Sequence, residues 1–333
     1  DVASAVAELM EGERPEHFGD IHRTYEDGER MVTTPPYTAY LKIAEGCSNG
    51  CAFCIIPKLR GRYRSRSMEA LLAEARQLAD SGVKELIVIA QDITRYGMDL
   101  EEPTSLAGLL KELCKLDFHW IRLHYLYPEV ITDELIDTIA REKKIVHYLD
   151  IPIQHCNDGI LKAMRRRNTR AELEDLFDRL RRAIPDLVVR TSLICGLPGE
   201  GEAEFEELCQ FLREQKLQRV GVFQFSPEEG TLAAAMEDQV DPETAARRVE
   251  LVVDLQSRIM DEYNEARLGT VMEVLCEGFD AQAGCFAGRT YADSVEIDGR
   301  VLFTAAGAVP AGSFVNVRIT GVSDGELTGE IEE

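Results

Sequence analysis

The chain has 333 residues, 45% of them hydrophobic, and a formal charge of −23. That length exceeds one ordinary domain, and no run of about 18 apolar residues is present that could cross a membrane. The acidity opposes binding to a phosphate backbone, which relies on Lys and Arg to release counterions; it favours a basic partner, or serves solubility alone. Residues 1–10 have neither a basic start nor a cleavage-like site, so no signal peptide is expected. They also lack an initiator Met, so the chain is expected to begin inside a longer protein. Nine cysteines are too few for a disulfide framework in a chain this long, which fits a cytoplasmic location.

After Pro35-Pro36 apolar runs alternate with helical periodicity. A first strand is expected over 37–44, delivering Cys47, Cys51 and Cys54 at its C-terminal end. Ser67 reads as the N-cap of a helix over 68–80, with Leu71, Leu72, Ala75 and Leu78 on one face. A buried-type strand over 85–90 runs into the polar pair Gln91-Asp92. A helix over 106–116, a strand over 120–126 and a helix capped by Thr132 follow. A fourth strand is expected over 147–153, ending at Gln154-His155. Thr169 and Glu172 form a capping box for the next helix. A fifth strand covers 187–194 and leads to the glycine-bearing turn 196–200, with its helix over 202–215. A sixth strand covers 219–225, and Asp241-Pro242 opens a long helix reaching about 267.

Six apolar strands alternating with helices predict an α/β fold with a parallel sheet, a partial (β/α)6 barrel. Chemistry is then expected at the strand C-terminal ends, where the cysteines, Gln91-Asp92, Gln154-His155 and the 196–200 turn all fall. From 268 onward the texture becomes β-rich with Gly turns, predicting a small antiparallel β-barrel. Residues 268–333 hold 11 acidic and 3 basic side chains. A nucleic-acid-binding barrel should be basic, so a cationic partner is expected and nucleic acid is not.

Cys47, Cys51 and Cys54 have C-x3-C-x2-C spacing. Three thiolates this close can hold three irons of a [4Fe-4S] cluster. The fourth iron is then free to chelate the amino and carboxylate groups of S-adenosyl-L-methionine and pass one electron to its sulfonium. Structural zinc wants four closed ligands, and no His or further Cys lies within twenty residues of the group. The remaining cysteines lack such spacing and read as small buried hydrophobes.

Several runs resemble the radical SAM methylthiotransferases of the RimO type, which modify an aspartate of the twelfth small-subunit ribosomal protein. They include Cys51-Ala-Phe-Cys54-Ile-Ile-Pro57, Ile89-Ala-Gln-Asp92, Ile151-Pro-Ile-Gln-His155 and the 190–200 stretch. Residues 288–293 resemble the family's C-terminal TRAM barrel. The resemblance implies a remnant and linker over 1–35, a radical SAM domain over 36–267 and a TRAM domain over 268–333. It also implies a further N-terminal domain with a second [4Fe-4S] cluster tied to the transferred sulfur; no cysteine precedes Cys47 here. The implied reaction is methylthiolation at the aspartate β-carbon, with the basic ribosomal protein as substrate and flavodoxin or ferredoxin as electron donor. Two alternatives remain open, a tRNA adenosine methylthiotransferase and a non-catalytic iron–sulfur or zinc adaptor.

By the same resemblance Cys47, Cys51 and Cys54 are the cluster ligands, with Phe53 shielding one cluster face or serving as ordinary core. Gln91 and Asp92 contact S-adenosylmethionine or substrate, or merely cap their strand, and Gln154, at the barrel mouth, contacts the cofactor or is structural. Arg190, a charge inside an apolar strand, meets the cofactor carboxylate or ribose, or an internal carboxylate. Gly196 lets backbone approach the adenosyl group, and Phe223 flanks the adenine or is core. Arg60 and Arg62, in a run of five basic residues over 58–66, steer the substrate loop or are solvated. Arg165-Arg166-Arg167 reads the same way, as steering the substrate loop or the cofactor carboxylate or as a solvated face.

Overall fold

The computed structural model describes residues 2–17, 19–21, 30–323 and 325–332. Of the expected 1–35 linker, residues 1, 18 and 22–29 lie outside the described residues. The first element is helix α1 (Val2–Met10), followed by β1 (Thr38–Lys42), the short β2 (Ala44–Glu45), α2 (Ile56–Arg60), β3 (Arg64–Ser65), α3 (Met68–Asp80) and β4 (Glu85–Ile89). Next come α4 (Leu106–Leu113), β5 (Trp120–Leu123), α5 (Asp133–Arg141), β6 (Ile145–Asp150), α6 (Asp158–Ala163) and α7 (Arg170–Ala183). β7 (Val188–Cys195), α8 (Glu202–Gln215), β8 (Arg219–Gln224) and the long α9 (Pro242–Glu265) follow.

The larger sheet has the order β1-β4-β5-β6-β7-β8, with every neighbouring pair parallel. Its strands are apolar because helices cover one face and the barrel interior the other. Helix starts follow their caps: Ser67, Ser105, Thr132, Asn157 and Thr169 each accept a hydrogen bond from the backbone N–H three residues on. The fourth strand lies earlier than the expected 147–153, because Pro152 has no N–H to donate to a ladder. The chain rejoins the sheet at Gln154, whose N–H bonds the Ser192 carbonyl at 2.9 Å.

The C-terminal strands are β9 (Val271–Asp280), β10 (Cys285–Arg289), β11 (Val301–Thr304), β12 (Phe314–Ser323) and β13 (Glu326–Ile331). They close into a barrel in the order β10-β11-β13-β12-β9, filled by Val274, Val301, Phe303, Val317 and Ile319. The expectation of a purely antiparallel barrel is corrected at one seam: β11 and β13 run parallel, which closes the cylinder.

This barrel packs against the N-terminal ends of the parallel strands. Glu85, the first residue of β4, is fully buried between Arg122 Nε at 2.8 Å and Arg289 Nη2 at 2.6 Å. Arg122 also donates to the Tyr291 carbonyl at 2.8 Å, and Arg219 Nη2 reaches Asp293 Oδ1 at 2.8 Å. The Tyr148 hydroxyl donates to Asp298 at 2.6 Å. Tyr37, Trp120, Leu275 and Phe314 add an apolar layer beside these pairs, with Trp120 edge-on to Phe314 at 4.8 Å. Burial alone would push the Glu85 carboxyl up, but the two guanidinium groups outweigh it and hold its pKa at about 2.

Glu85→Gln leaves buried Arg122 without its carboxylate and Arg289 with Glu277 alone, and an expected cost of about 3–5 kcal/mol will be read by urea unfolding. The folded pKa lies below the ordinary 4.5, so this carboxylate contributes fully above pH 4.5 and its contribution is lost as pH falls toward about 2. The parent is therefore expected to lose stability more steeply than Glu85→Gln across that window. Parallel pH profiles would mean that Glu85 carries no linked stability.

Candidate functional site

The three cysteines lie on the loop after β2, at the C-terminal end of the sheet. Gly46, with φ of +76°, starts that loop; a Cβ there would sit 2.3 Å from the Arg62 carbonyl oxygen, so only glycine permits the close pass. Cys47 N–H then bonds the Gly61 carbonyl at 3.2 Å. The loop is pinned on several sides. Ser48 Oγ accepts from Tyr63 N–H at 3.1 Å, Ala52 N–H donates to the Met164 carbonyl at 3.0 Å, and the Ala52 carbonyl accepts from Ala233 N–H at 2.9 Å.

Cys47 and Cys54 line a cavity of about 450 Å³ together with Lys42, Gln91, Tyr125 and Tyr127. Its remaining wall is apolar, from Ile56, Ile89 and Ala90. Burial pushes the Cys47 and Cys54 thiols up, opposed at Cys47 by the Asn49 N–H and at Cys54 by that of Ile56. Metal ligation by these groups therefore releases protons. Cys51 is buried beneath the loop; its Sγ lies 3.2 Å from the Tyr127 hydroxyl and 3.8 Å from Arg166 Nη1.

Of the polar residues singled out in the sequence, Gln91 alone joins the cysteines in this cavity, with its Oε1 buried and unpartnered. Asp92 does not face the cavity. It is fully buried and accepts from Asn49 Nδ2 at 2.8 Å, from Thr94 N–H at 3.0 Å and from the Thr94 hydroxyl. Arg95 bridges the pair, 3.2 Å from Asp92 and 2.9 Å from Asn49 Oδ1. Asp92 thus ties the strand end to the cysteine loop.

Arg190 takes the internal option: its Nη1 pairs with Asp150 Oδ1 at 2.7 Å, and it lines a separate cavity of about 320 Å³ with Arg219 and Asp298. The glycine at 196 serves packing, since a Cβ there would meet the Ala245 Cβ of α9 at 2.4 Å. Phe223 is 53% exposed on β8 and is not core. Phe53 is half-buried against Ala52, Ile160 and Met164. Arg60 and Arg62 are exposed, and their carbonyls accept hydrogen bonds from Arg64. The basic run is not one solvated island, because Arg66 is buried and paired with Glu74 at 2.7 Å.

Gln154 and Tyr125 stand at the ends of neighbouring strands with φ of +71° and +64°. Left-handed backbone at non-glycine residues costs on the order of 1–3 kcal/mol and gathers at functional sites. Sequence reasoning gave no role to Tyr125, Tyr127 or Asn49. Tyr125 and Tyr127 fall in two further runs, 122–125 and 127–128, that resemble the same family, but no role was attached to them. Arg166 corrects the reading of 165–167 as a solvated face, for it is buried.

Two thiols lining a partly apolar cavity, a third on the same loop and an orphaned amide oxygen beside them fit an iron–sulfur cluster and a small polar ligand. Among the described residues no group of three or more His, Cys, Asp or Glu converges to hold a single metal ion.

Two family models match the chain, the Radical SAM superfamily over residues 41–212 and the TRAM domain over residues 268–331. The chain is 46% identical over 331 residues to ribosomal protein uS12 methylthiotransferase RimO of Caldanaerobacter subterraneus subsp. tengcongensis, covering 99% of this chain and 75% of that protein. It is 48% identical over 306 residues to the protein of that name from Pelobacter propionicus, covering 91% of this chain and 68% of the other. Among solved structures, coproporphyrinogen III oxidase (HemN) from Escherichia coli, a radical SAM enzyme, superposes with a TM-score of 0.51 at 16% identity. The overlap is 68% of this chain and 54% of that one, and it bears on the fold alone.

Asn49→Ala removes the amide that joins the cysteine loop to Asp92 and leaves a buried carboxylate short of a donor, at a cost of about 1–3 kcal/mol. Alkylation of Cys47 and Cys51 by a maleimide, followed by mass spectrometry, is expected to accelerate in this variant. Unchanged rates would show that the Asp92 network does not hold the loop.

Proposed function

The chain belongs to the radical SAM methylthiotransferases of the RimO type, and from that premise we propose that it places a methylthio group on the β-carbon of an aspartate in ribosomal protein uS12. The observation that carries this reading is the meeting of Cys47, Cys54 and Gln91 around one cavity at the C-terminal mouth of the parallel sheet.

Cys47, Cys51 and Cys54 would hold the [4Fe-4S] cluster, with S-adenosylmethionine in the adjoining cavity. Bound there, the pair supplies a one-electron reductive cleavage that generates an oxidant able to take hydrogen from an unactivated carbon. The Gln91 Oε1, unpartnered and buried, is placed to accept from an ammonium group. Tyr125, Tyr127, Ile56 and Ile89 wall the cavity. Arg60 and Arg62, exposed on the turn against which Gly46 packs, are placed to meet the acidic side chain of an incoming substrate loop.

The acidic barrel supports a protein substrate over tRNA. Its three arginines are all engaged with carboxylates: Arg289 with Glu85 and Glu277, Arg300 with Asp280 and Glu326, Arg318 with Glu332. None is left for a phosphate, whereas the excess of carboxylates suits a basic ribosomal protein. The same reading divides the chain into a radical SAM unit over 36–267 and a barrel unit over 268–333, and takes a flavodoxin- or ferredoxin-type donor as the electron source.

The test is anaerobic reconstitution with iron and sulfide, reduction with dithionite, and assay of 5′-deoxyadenosine in the presence of uS12 deuterated at the aspartate β-carbon. Deuterium in the 5′-deoxyadenosine is expected; cleavage without deuterium transfer would move the substrate elsewhere. Cys51→Ala is expected to abolish 5′-deoxyadenosine formation while keeping the parent's circular dichroism. Undiminished output from that variant would overturn the ligand assignment.

A further inference from the structure

Beneath the cysteine loop, one ligand differs from the other two in its surroundings. Cys47 and Cys54 line the cavity, whereas Cys51, as buried as Cys47, is met by two side chains, Tyr127 and Arg166. The Tyr127 hydroxyl sits 3.2 Å from its Sγ, and Arg166 Nη1 approaches the same sulfur at 3.8 Å. Arg166 is 7% exposed, although it lies between two exposed arginines. A buried guanidinium is costly unless it is partnered, and its partners here are few and specific. Nη2 donates to the Pro152 carbonyl at 2.8 Å, and the guanidinium plane lies over the Tyr127 ring at 4.3 Å. Among the ion pairs of the described residues, none joins Arg166 to an Asp or Glu. The Glu129 carboxylate acts on it through space without an ion-pair contact, so the groups in direct contact with the guanidinium are a sulfur, a carbonyl and an aromatic face.

The approach is built into the fold. Ala52 N–H bonds the Met164 carbonyl at 3.0 Å, so the segment carrying Arg166 is fastened to the residue next to Cys51. Arg165 adopts φ of +57°, which turns the chain just before Arg166. Pro152, the acceptor, lies in the stretch between β6 and the left-handed Gln154. Thus the anchors of Arg166 come from the cysteine loop and from the ends of β5 and β6.

We propose that Arg166 and Tyr127 are positioning residues that donate to the Cys51 sulfur and set the reduction potential of the cluster, with Arg166 supplying the charge and Tyr127 the directed hydrogen bond. This rests on the assignment of Cys51 as a cluster ligand. Reduction adds one electron to the cluster, and a nearby cation and an O–H donor stabilise the more negative state, raising the potential. A lysine can keep the charge, but not the planar stack on Tyr127.

The test is a dithionite-driven redox titration of the anaerobically reconstituted protein, followed by electron paramagnetic resonance, for the parent, Arg166→Met, Arg166→Lys and Tyr127→Phe. Iron is counted first, with about four per chain expected for a loaded cluster. Arg166→Met is expected to shift the oxidised-to-reduced ratio at fixed potential by about tenfold toward oxidised, equivalent to about 59 mV for a one-electron couple. Tyr127→Phe, which keeps the ring and is the milder change, should shift it the same way by less, and Arg166→Lys should recover most of the arginine effect. Potentials equal to the parent in loaded Arg166→Met and Tyr127→Phe overturn the proposal and leave the ligand assignment standing. A parent that takes up no iron overturns both. If Arg166→Met does not fold, the Tyr127→Phe shift decides the outcome.

Discussion

The buried charge cluster of Glu85 between Arg122 and Arg289 is the constraint on which the rest of the architecture depends. Three ionised groups without solvent are tolerated only when each is matched in position as well as in sign. That requirement fixes the C-terminal barrel to the N-terminal ends of β4 and β5 in one orientation. Arg219 with Asp293 and Tyr148 with Asp298 repeat the match on β8 and β6. With one end of the sheet closed in this way, the opposite end is left as the open mouth, and there the cysteine loop sits.

At the mouth, different residues provide shape and chemistry. The cysteines and Gln91 carry the donor atoms, but their placement comes from a second set. Gly46 lets the loop pass the Arg62 backbone, Asn49 and Arg95 lock it to Asp92, and Met164 and Ala233 pair with Ala52. Tyr125 and Gln154 hold left-handed backbone at adjacent strand ends, and that strain is sustained by the packed strands on either side. The rigid lower half of the molecule thus supports an upper rim built of bent, individually fastened segments.

Charge follows the same division. The net charge of −23 could have meant solubility alone. The fold shows that the barrel's three arginines all pair with carboxylates, whereas Arg60 and Arg62 stay exposed beside the cysteine loop. A basic substrate drawn to the acidic surface can present an acidic side chain to a locally basic entrance. Long-range attraction and local recognition then have opposite signs, which favours a basic protein carrying one exposed carboxylate over a uniform polyanion.

What the sequence by itself determined is what local chemistry determines. Cap residues, apolar periodicity and turn residues act within a few positions, so Ser67, Thr132 and Thr169 marked their helices and the alternation marked the parallel sheet. The cysteine spacing was likewise local, and so was the texture change at the start of the barrel. Tertiary structure decided the rest, because the partners are far apart in the chain. Arg166 meets Cys51 across 115 positions and Arg289 meets Glu85 across 204. No periodicity reveals such pairs, and an arginine between two others reads as surface until the fold buries it. Asp92, Arg190 and Gly196 show the reverse case: each sits at or near a strand end where a ligand contact was plausible, and the fold gives each a protein neighbour, Asn49, Asp150 or the closely approaching α9, that no local pattern announced. Local patterns choose the elements; burial and ion pairing between distant elements choose which polar groups remain free to act.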